Sequence, residues 1–192
     1  MRVKHAMDPT VRERGFTLIE LLVALSLFAL LIALAVPMYA DFLGNSQVRN
    51  AAEAMLNGVV SAQSAAINAN TQVQLVVTPA TGWTIAEVNP DLSVRTPILP
   101  APFQLSDGAP NAHVVPTPPG ATEITFDAFG RIVANPDASP TISCIDVTNS
   151  QNASARALRV VITNATPATA TKLCDPLAAA TEPQACPAAL CQ

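Results

Sequence analysis

The sequence predicts an α+β fold in which one long N-terminal α-helix packs on an antiparallel β-sheet. Three features predict it: an uncharged run of twenty residues at 21–40, an apolar stripe of helical period after that run, and short β-rich runs separated by turn residues from residue 72 onward. The chain has 192 residues, enough for one ordinary domain, and only 12% of them are charged. This composition excludes the highly charged kind of intrinsic disorder.

The first half of the helix, residues 16–40, is predicted to cross a membrane. At about 1.5 Å of rise per residue, the uncharged run spans the roughly 30 Å of a bilayer core. A cleaved secretory signal is one alternative, because Ala33-Leu34-Ala35 offers a cleavage site, but the run is too long for that class. A plain membrane anchor is the other. Arg12 and Arg14, in a basic leader over residues 1–15, predict a cytoplasmic N-terminus and an exported remainder.

The second half of the helix, residues 41–70, is predicted to be amphipathic. Its apolar residues recur at steps of three and four, which places them on one helical face: Val48, Ala52, Met55, Val59, Ala62 and Ala66. A coiled-coil partner could cover this face, but the stripe is rich in alanine and shorter than three heptads. We therefore expect it to pack on the sheet of the same chain, with Gly58 as a weak point in the helix.

The exported head, residues 71–192, reads as a series of antiparallel strands. Residues 72–77 and 83–88 predict one hairpin, residues 123–126 and 131–133 a second, and further strands are expected at 142–147 and 157–163. Eight prolines between residues 89 and 120 predict little regular structure there, because proline cannot donate a ladder hydrogen bond. Trp83 and Phe126 are expected in the core, and Gly130 in a turn.

Four cysteines lie in the last third of the chain: Cys144, Cys174, Cys186 and Cys191. An even number beyond a membrane segment predicts disulfides in an oxidising compartment. Of the three possible pairings, Cys144 with Cys174 would tie two strands, and Cys186 with Cys191 would close a small C-terminal loop. A zinc site is not expected, because no C-x-x-C pair exists and the chain has only two histidines.

No enzyme active site, metal or cofactor is predicted. The exported part contains a single histidine, His113, and lacks nucleophile-elbow, phosphate-loop and H-E-x-x-H motifs. From residue 16 onward the chain has six basic and twelve acidic residues, which gives a net charge of −6. Nucleic acid is therefore not expected as a partner, since phosphate contacts supply most of that affinity.

Glu20 stands out, because a carboxylate at the start of a lipid-compatible helix is costly unless it has a partner. It ends the run Arg14-Gly15-Phe16-Thr17-Leu18-Ile19-Glu20, which resembles the type III signal of type IV pilins and type II secretion pseudopilins. The resemblance implies cleavage after Gly15 by prepilin peptidase and methylation of the new Phe16 amine. It also implies a pilin fold with an inner-membrane anchor and a periplasmic head.

The same resemblance implies how the subunits assemble. Glu20 of one subunit would meet the Phe16 amine of a neighbour when their helices stack; the alternative is that Glu20 reaches the lipid headgroups. Pilin helices commonly carry a proline where this chain has Pro37, which implies a local loosening used in packing. Membrane helices also tolerate proline without such a role.

Shorter motifs are similar to the GspH/FimT group of minor pilins, which includes FimU. They are the helix end 65–70, Val73-Gln74-Leu75, Gly82-Trp83, and Ile124-Thr125-Phe126 leading to Gly130-Arg131. The resemblance implies a minor pilin that helps initiate or cap a type IV pilus with other pilins. Two alternatives are a GspH-type pseudopilin of type II secretion and a DNA-binding FimT-like pilin. The last usually carries a C-terminal Gly-Arg motif, which the expected loop 164–171 lacks.

Overall fold

The computed structural model describes residues 15–78, 82–89, 95–98, 102–165, 168–187 and 191. Residues 1–14 of the expected leader and residues 79–81 of the expected first turn lie outside these ranges, as does part of the proline-rich segment. The chain divides into two compact units, residues 1–39 and 40–192, which are described separately.

The first unit carries the start of α1 (Leu18–Ala69), a helix of 52 residues that continues into the second unit. Every residue from 15 to 39 is exposed in the isolated chain. The helix contains a stretch long and apolar enough to cross a membrane, with a mean hydropathy of 2.8 and no residue of that stretch buried. The described part of this unit therefore leaves the apolar side chains of the first half of α1 uncovered.

In the second unit, α1 ends in a Schellman motif. Asn70 takes a positive φ of 52°, its amide donates to the Ile67 carbonyl, and the Thr71 amide donates to the Ala66 carbonyl. The described part of the chain then contains ten strands: β1 (Val73–Thr78), β2 (Gly82–Val88), β3 (Arg95–Pro97), β4 (Phe103–Gln104), β5 (Ala112–Thr117), β6 (Glu123–Phe126), β7 (Ile132–Val133), β8 (Cys144–Asn149), β9 (Leu158–Ala165) and β10 (Ala168–Cys174).

These strands form two antiparallel sheets, where the sequence predicted one. The first sheet has the order β3-β2-β1-β6-β7, with β4 also paired to β2, and the second has the order β10-β9-β8-β5. Both predicted hairpins are present, as β1–β2 and β6–β7. The predicted strands at 142–147 and 157–163 correspond to β8 and β9, each displaced by one or two residues.

The predicted helical stripe is buried in full, and it packs in one core with both sheets. The first sheet contributes inward side chains such as Leu75 and Phe126, and the second contributes residues such as Val147 and Val160. This arrangement confirms packing within the chain rather than a coiled coil. Trp83 and Phe126 are core residues, and Gly130 takes a φ of 73° in a turn, as expected.

Two of the longer strands were not predicted from the sequence. Strand β5 lies inside the proline-rich segment and includes Pro116. The carbonyls of Asn111 and Thr117 accept hydrogen bonds from the backbone amides at the two ends of β8. The backbone groups of odd-numbered residues of β5 therefore point towards β8, and the backbone nitrogen of Pro116 points towards the free edge of the sheet. A proline costs no ladder bond at such an edge. Strand β10 takes up residues 168–171 of the expected loop 164–171; as an edge strand of small residues and threonines, it lacks a strong apolar alternation.

The expected disulfide pairing is wrong. Cys144 is bonded to Cys191, and Cys174 to Cys186. The strand order explains the difference, because β9 lies between β8, which carries Cys144, and β10, which carries Cys174. Strands two places apart are separated by roughly 9–10 Å, whereas a disulfide spans at most about 7 Å between Cα atoms. The bridges therefore attach the C-terminal segment to the sheet instead of joining its strands.

Candidate processing and assembly site

The predicted processing site lies immediately before the helix. Gly15, Phe16 and Thr17 are not helical, and α1 begins at Leu18. The first described helical bond runs from the Leu21 amide to the Thr17 carbonyl. The peptide bond between Gly15 and Phe16 is therefore outside the helical hydrogen-bond ladder, and Phe16 is 86% exposed. Both features leave this bond open to an enzyme.

Glu20 lies in the first turn of α1 and belongs to a cap. Its backbone amide donates to the Thr17 hydroxyl at 3.3 Å, and the T-x-x-E spacing is that of a capping box. A negative charge is also favoured at this end of a helix by the helix dipole. Among the described residues, no hydrogen bond or ion pair reaches the Glu20 carboxylate.

Pro37 lies within α1, whose helical assignment runs through it without a break. Proline has no N–H, so the carbonyl four residues earlier receives no helical bond from it. The helix therefore lacks one backbone hydrogen bond at Pro37. A loosened turn at this position stays a prediction.

A hydrogen-bonded contact that the sequence did not predict lies just beyond Pro37. Side chains of the loop between β8 and β9 bind the start of the second unit's helix, and we call this contact the clasp. The Asn152 amide donates to the Ala40 carbonyl at 3.2 Å and to an Asp41 carboxylate oxygen at 3.0 Å. The Ser154 hydroxyl donates to the same oxygen at 2.6 Å. These two donors, Ser154 first, hold the pKa of Asp41 below its usual range.

Gly44 makes the clasp possible. A Cβ atom at this position would lie 2.9 Å from the Asn152 amide nitrogen and 3.2 Å from the Ala155 methyl group. The loop adds bonds further along the helix, from Asn149 to Gln47 at 3.2 Å and from the Arg156 amide to the Asn45 side chain at 2.7 Å. The only sequence signal is a run of polar turn formers at 149–154, which says nothing about where the loop docks.

In the second unit, each arginine whose side chain the structure describes pairs with a carboxylate. The pairs are Arg49 with Glu53, Arg131 with Asp127, Arg159 with Asp146, and Arg156 with Asp175. Burial raises the pKa of Asp127, but hydrogen bonds from Arg131 and from two backbone amides outweigh it and leave that pKa below its usual range. No group of three metal-ligating side chains occurs in the described part of the chain.

Comparison with protein families agrees with this geometry. A prokaryotic N-terminal methylation motif matches residues 11–36, the stretch that holds Gly15, Phe16 and Glu20. The family described as type II transport protein GspH matches residues 51–166, which cover the second half of α1 and most of both sheets. Searches of curated proteins and of solved structures found no match.

The two matches confirm the resemblance inferred from the sequence, and the second spans more than half of the chain. The members of this family serve as structural subunits. The chain belongs to the GspH family and is a minor pilin or pseudopilin of the type IV pilin superfamily.

Proposed function

We propose that this protein is a minor pilin that is cut after Gly15 by prepilin peptidase, methylated on Phe16 and built into a type IV pilus, where it helps initiate or cap the filament. Before assembly its helix is anchored in the inner membrane, with the N-terminus in the cytoplasm and the head in the periplasm. The partners are other major and minor pilins, which contact it through residues 16–40.

One observation carries the proposal: an uncompensated glutamate begins a helix whose first half is exposed on every side. Cleavage after Gly15 would create a positive amine at Phe16, four residues before Glu20. Within a bundle of such helices, the Phe16 amine of one subunit compensates the Glu20 carboxylate of the next. This pairing replaces the hydration that both charges lose inside the bundle. Assembly thereby supplies a charge partner that the described residues of one chain do not provide.

The processing step is tested by mass spectrometry of the mature protein from its own host. We expect the chain to begin at Phe16 and to weigh one methyl group more than the unmodified sequence. A chain trimmed beyond Ala35 would refute the proposal, because the helix needed for assembly would be gone.

The assembly step is tested by replacing Glu20 with glutamine, which keeps the shape of the side chain and removes its charge. We expect normal cleavage and a strong fall in the fraction recovered in sheared filaments. Glu53→Ala is the matched control, because Glu53 is an exposed glutamate of the same helix that pairs within its own chain. Equal incorporation of Glu20→Gln and the control would contradict charge pairing.

Pro37 is proposed to loosen α1 during packing, since its missing N–H leaves one helical carbonyl without its usual donor. Pro37→Ala restores that donor. We expect slower filament formation with unchanged cleavage, measured in the same assay. Unchanged formation would leave proline as a tolerated residue of a membrane helix.

A second candidate is a GspH-type pseudopilin of a type II secretion system, which the description of the matching family favours. Deleting either the pilus or the secretion assembly genes of the host separates the two. The minor-pilin proposal expects the chain to leave the membrane only when the pilus genes are intact.

DNA binding of the FimT kind is not part of the proposal. The carboxylates that hold the described arginines compete with phosphate for them, and the expected loop 164–171 is largely strand. We therefore expect no salt-dependent shift of duplex DNA by the full chain in a gel assay. A shift that weakens steeply with salt would reverse this conclusion.

A further inference from the structure

We propose that residues 175–187 together with Cys191 form a cover that is held on the second sheet by two disulfides rather than by packing. Oxidation after export then builds this surface of the head, and reduction removes it while the core stays folded.

The cover lies on the face of the second sheet that points away from the main core. Along β9, Val160 and Ile162 belong to that core, so Val161 between them faces the other way. Val161 forms a separate small cluster with Cys144 and Cys174, and all three are buried. Cys186 and Cys191, both half-buried, pack against this cluster from the cover.

The cover itself buries very little. Among its described residues, 175–187 and 191, only Asp175 and Ala185 are buried, and Leu177 is 82% exposed. The hydrogen bonds within the cover are local, such as the one from the Asp175 amide to the Gln184 carbonyl at 2.8 Å. Among the described residues, polar contacts between the cover and the sheet are few, and one of them runs from Lys172 to the Ala185 carbonyl at 3.1 Å. Arg156 also pairs with Asp175.

These contacts return less free energy than is lost by fixing more than a dozen residues in one conformation. Cross-links change that balance, because they remove most of the alternative conformations of the free segment. The cover is therefore ordered only when it is cross-linked.

The two bridges are nested, because the loop closed by Cys174–Cys186 lies within the loop closed by Cys144–Cys191. The inner cysteines are 12 residues apart in sequence and the outer ones 47. The short loop closes at the lower entropic cost. Once it is closed, Cys191 is five residues from a fixed point, instead of seventeen residues from the end of β10. The inner bridge should therefore form first and guide the outer one.

Each bridge forms by exchange with the disulfide of an exported oxidising thiol–disulfide protein. Two cysteine thiols of the chain lose two protons and two electrons as their S–S bond forms, and the partner's disulfide is reduced to two thiols. The reaction belongs after membrane translocation and before subunit assembly, because both strand cysteines are covered in the finished head.

The first test compares hydrogen exchange in the full chain, held in detergent, with its bridges intact or reduced and alkylated. We expect exchange to rise at least tenfold in peptides covering 175–187, and to stay unchanged in the core helix 48–66 and in β1 and β6. Alkylating reagent without reductant is the control. A rise throughout the head, or unchanged protection at 175–187, would each overturn the proposal.

A second test examines the order of bridging with serine substitutions. In Cys174→Ser/Cys186→Ser, we expect a large share of Cys144 and Cys191 to remain as free thiols after export. In Cys144→Ser/Cys191→Ser, we expect the remaining bridge to form as in the unaltered chain. Complete oxidation of Cys144 and Cys191 without the inner bridge would overturn the nested order. If a variant does not accumulate, timed thiol trapping of the unaltered chain during oxidation answers the same question.

Discussion

The Trp83 indole of the first sheet lies directly against Gly58 of the helix, and Gly58→Ala tests this contact. A Cβ atom at residue 58 would lie 2.8 Å from Cε2 of the Trp83 indole, 2.9 Å from Cδ2 and 3.0 Å from Nε1. Real Cβ atoms do not approach aromatic atoms this closely, so the indole or the helix must move.

The indole has little freedom to move. Its Nε1–H donates to the Ala54 carbonyl at 3.0 Å, and its ring stacks on Phe103 with centroids 5.3 Å apart and planes 11° from parallel. Overpacking of this kind costs about 1–3 kcal/mol, and a displaced indole loses a hydrogen bond of about 1 kcal/mol. Alanine returns about 1 kcal/mol through its helix propensity. We expect a net loss of about 1–3 kcal/mol in the free energy of unfolding.

Urea unfolding of the full chain in detergent measures this loss, and Trp83 is the only tryptophan, so its fluorescence reports on the contact itself. Ser61→Ala is the matched control, because Ser61 is exposed on the same helix and should gain about 0.5 kcal/mol. If Gly58→Ala is stabilised as much as Ser61→Ala, the helix does not pack on the indole as described.

Two further predictions concern polar contacts of the head. Asn152→Ala removes two bonds of the clasp, so we expect amide exchange of residues 41–47 to rise and about 1 kcal/mol of stability to be lost; Gln151→Ala, which removes a side chain without a described bond, should change neither. Burial raises the pKa of Asp175, but hydrogen bonds, chiefly from the Leu177 amide and from Arg156, outweigh this effect. The pKa of Asp175 therefore lies below its ordinary value. Its stabilisation is therefore complete above about pH 4 and is lost as pH falls through the folded pKa. In thermal unfolding between pH 2 and 6, Asp175→Asn should show a flatter acid limb than the unaltered chain.

The parts of the fold that sequence predicts are those determined by neighbours along the chain. The spacing of Val48, Met55 and Val59 identifies one helical face, and burial of that face follows in any fold that covers it. Gly130 follows Asp127 at the distance of a tight turn, and the Gly130 amide donates to the Asp127 carbonyl at 2.9 Å. The processing motif is equally local, because its residues are consecutive in the chain and need no tertiary contact to be recognised.

The parts that could not be predicted depend on which strands become neighbours. The cysteine pairing follows from the position of β9 between β8 and β10, and no spacing along the chain contains that order. Pro116 argues against a strand until its place at a sheet edge is known. The clasp depends on a loop more than a hundred residues from the helix that it binds. Each of these features joins residues through the tertiary fold, where local patterns carry no information.

The two halves of α1 obtain their partners from different sources. The head of the same chain covers the stripe from Val48 to Ala66, whereas residues 15–39 are exposed all round. A helix that is apolar on every face is not stable in water, so under the proposed function lipid covers it before assembly and neighbouring helices cover it afterwards. Lipid satisfies the apolar side chains but leaves Glu20 without a counter-charge. Under the proposed function, neighbouring subunits would compensate both, because a Phe16 amine would lie at Glu20 there, and this difference in free energy would favour assembly.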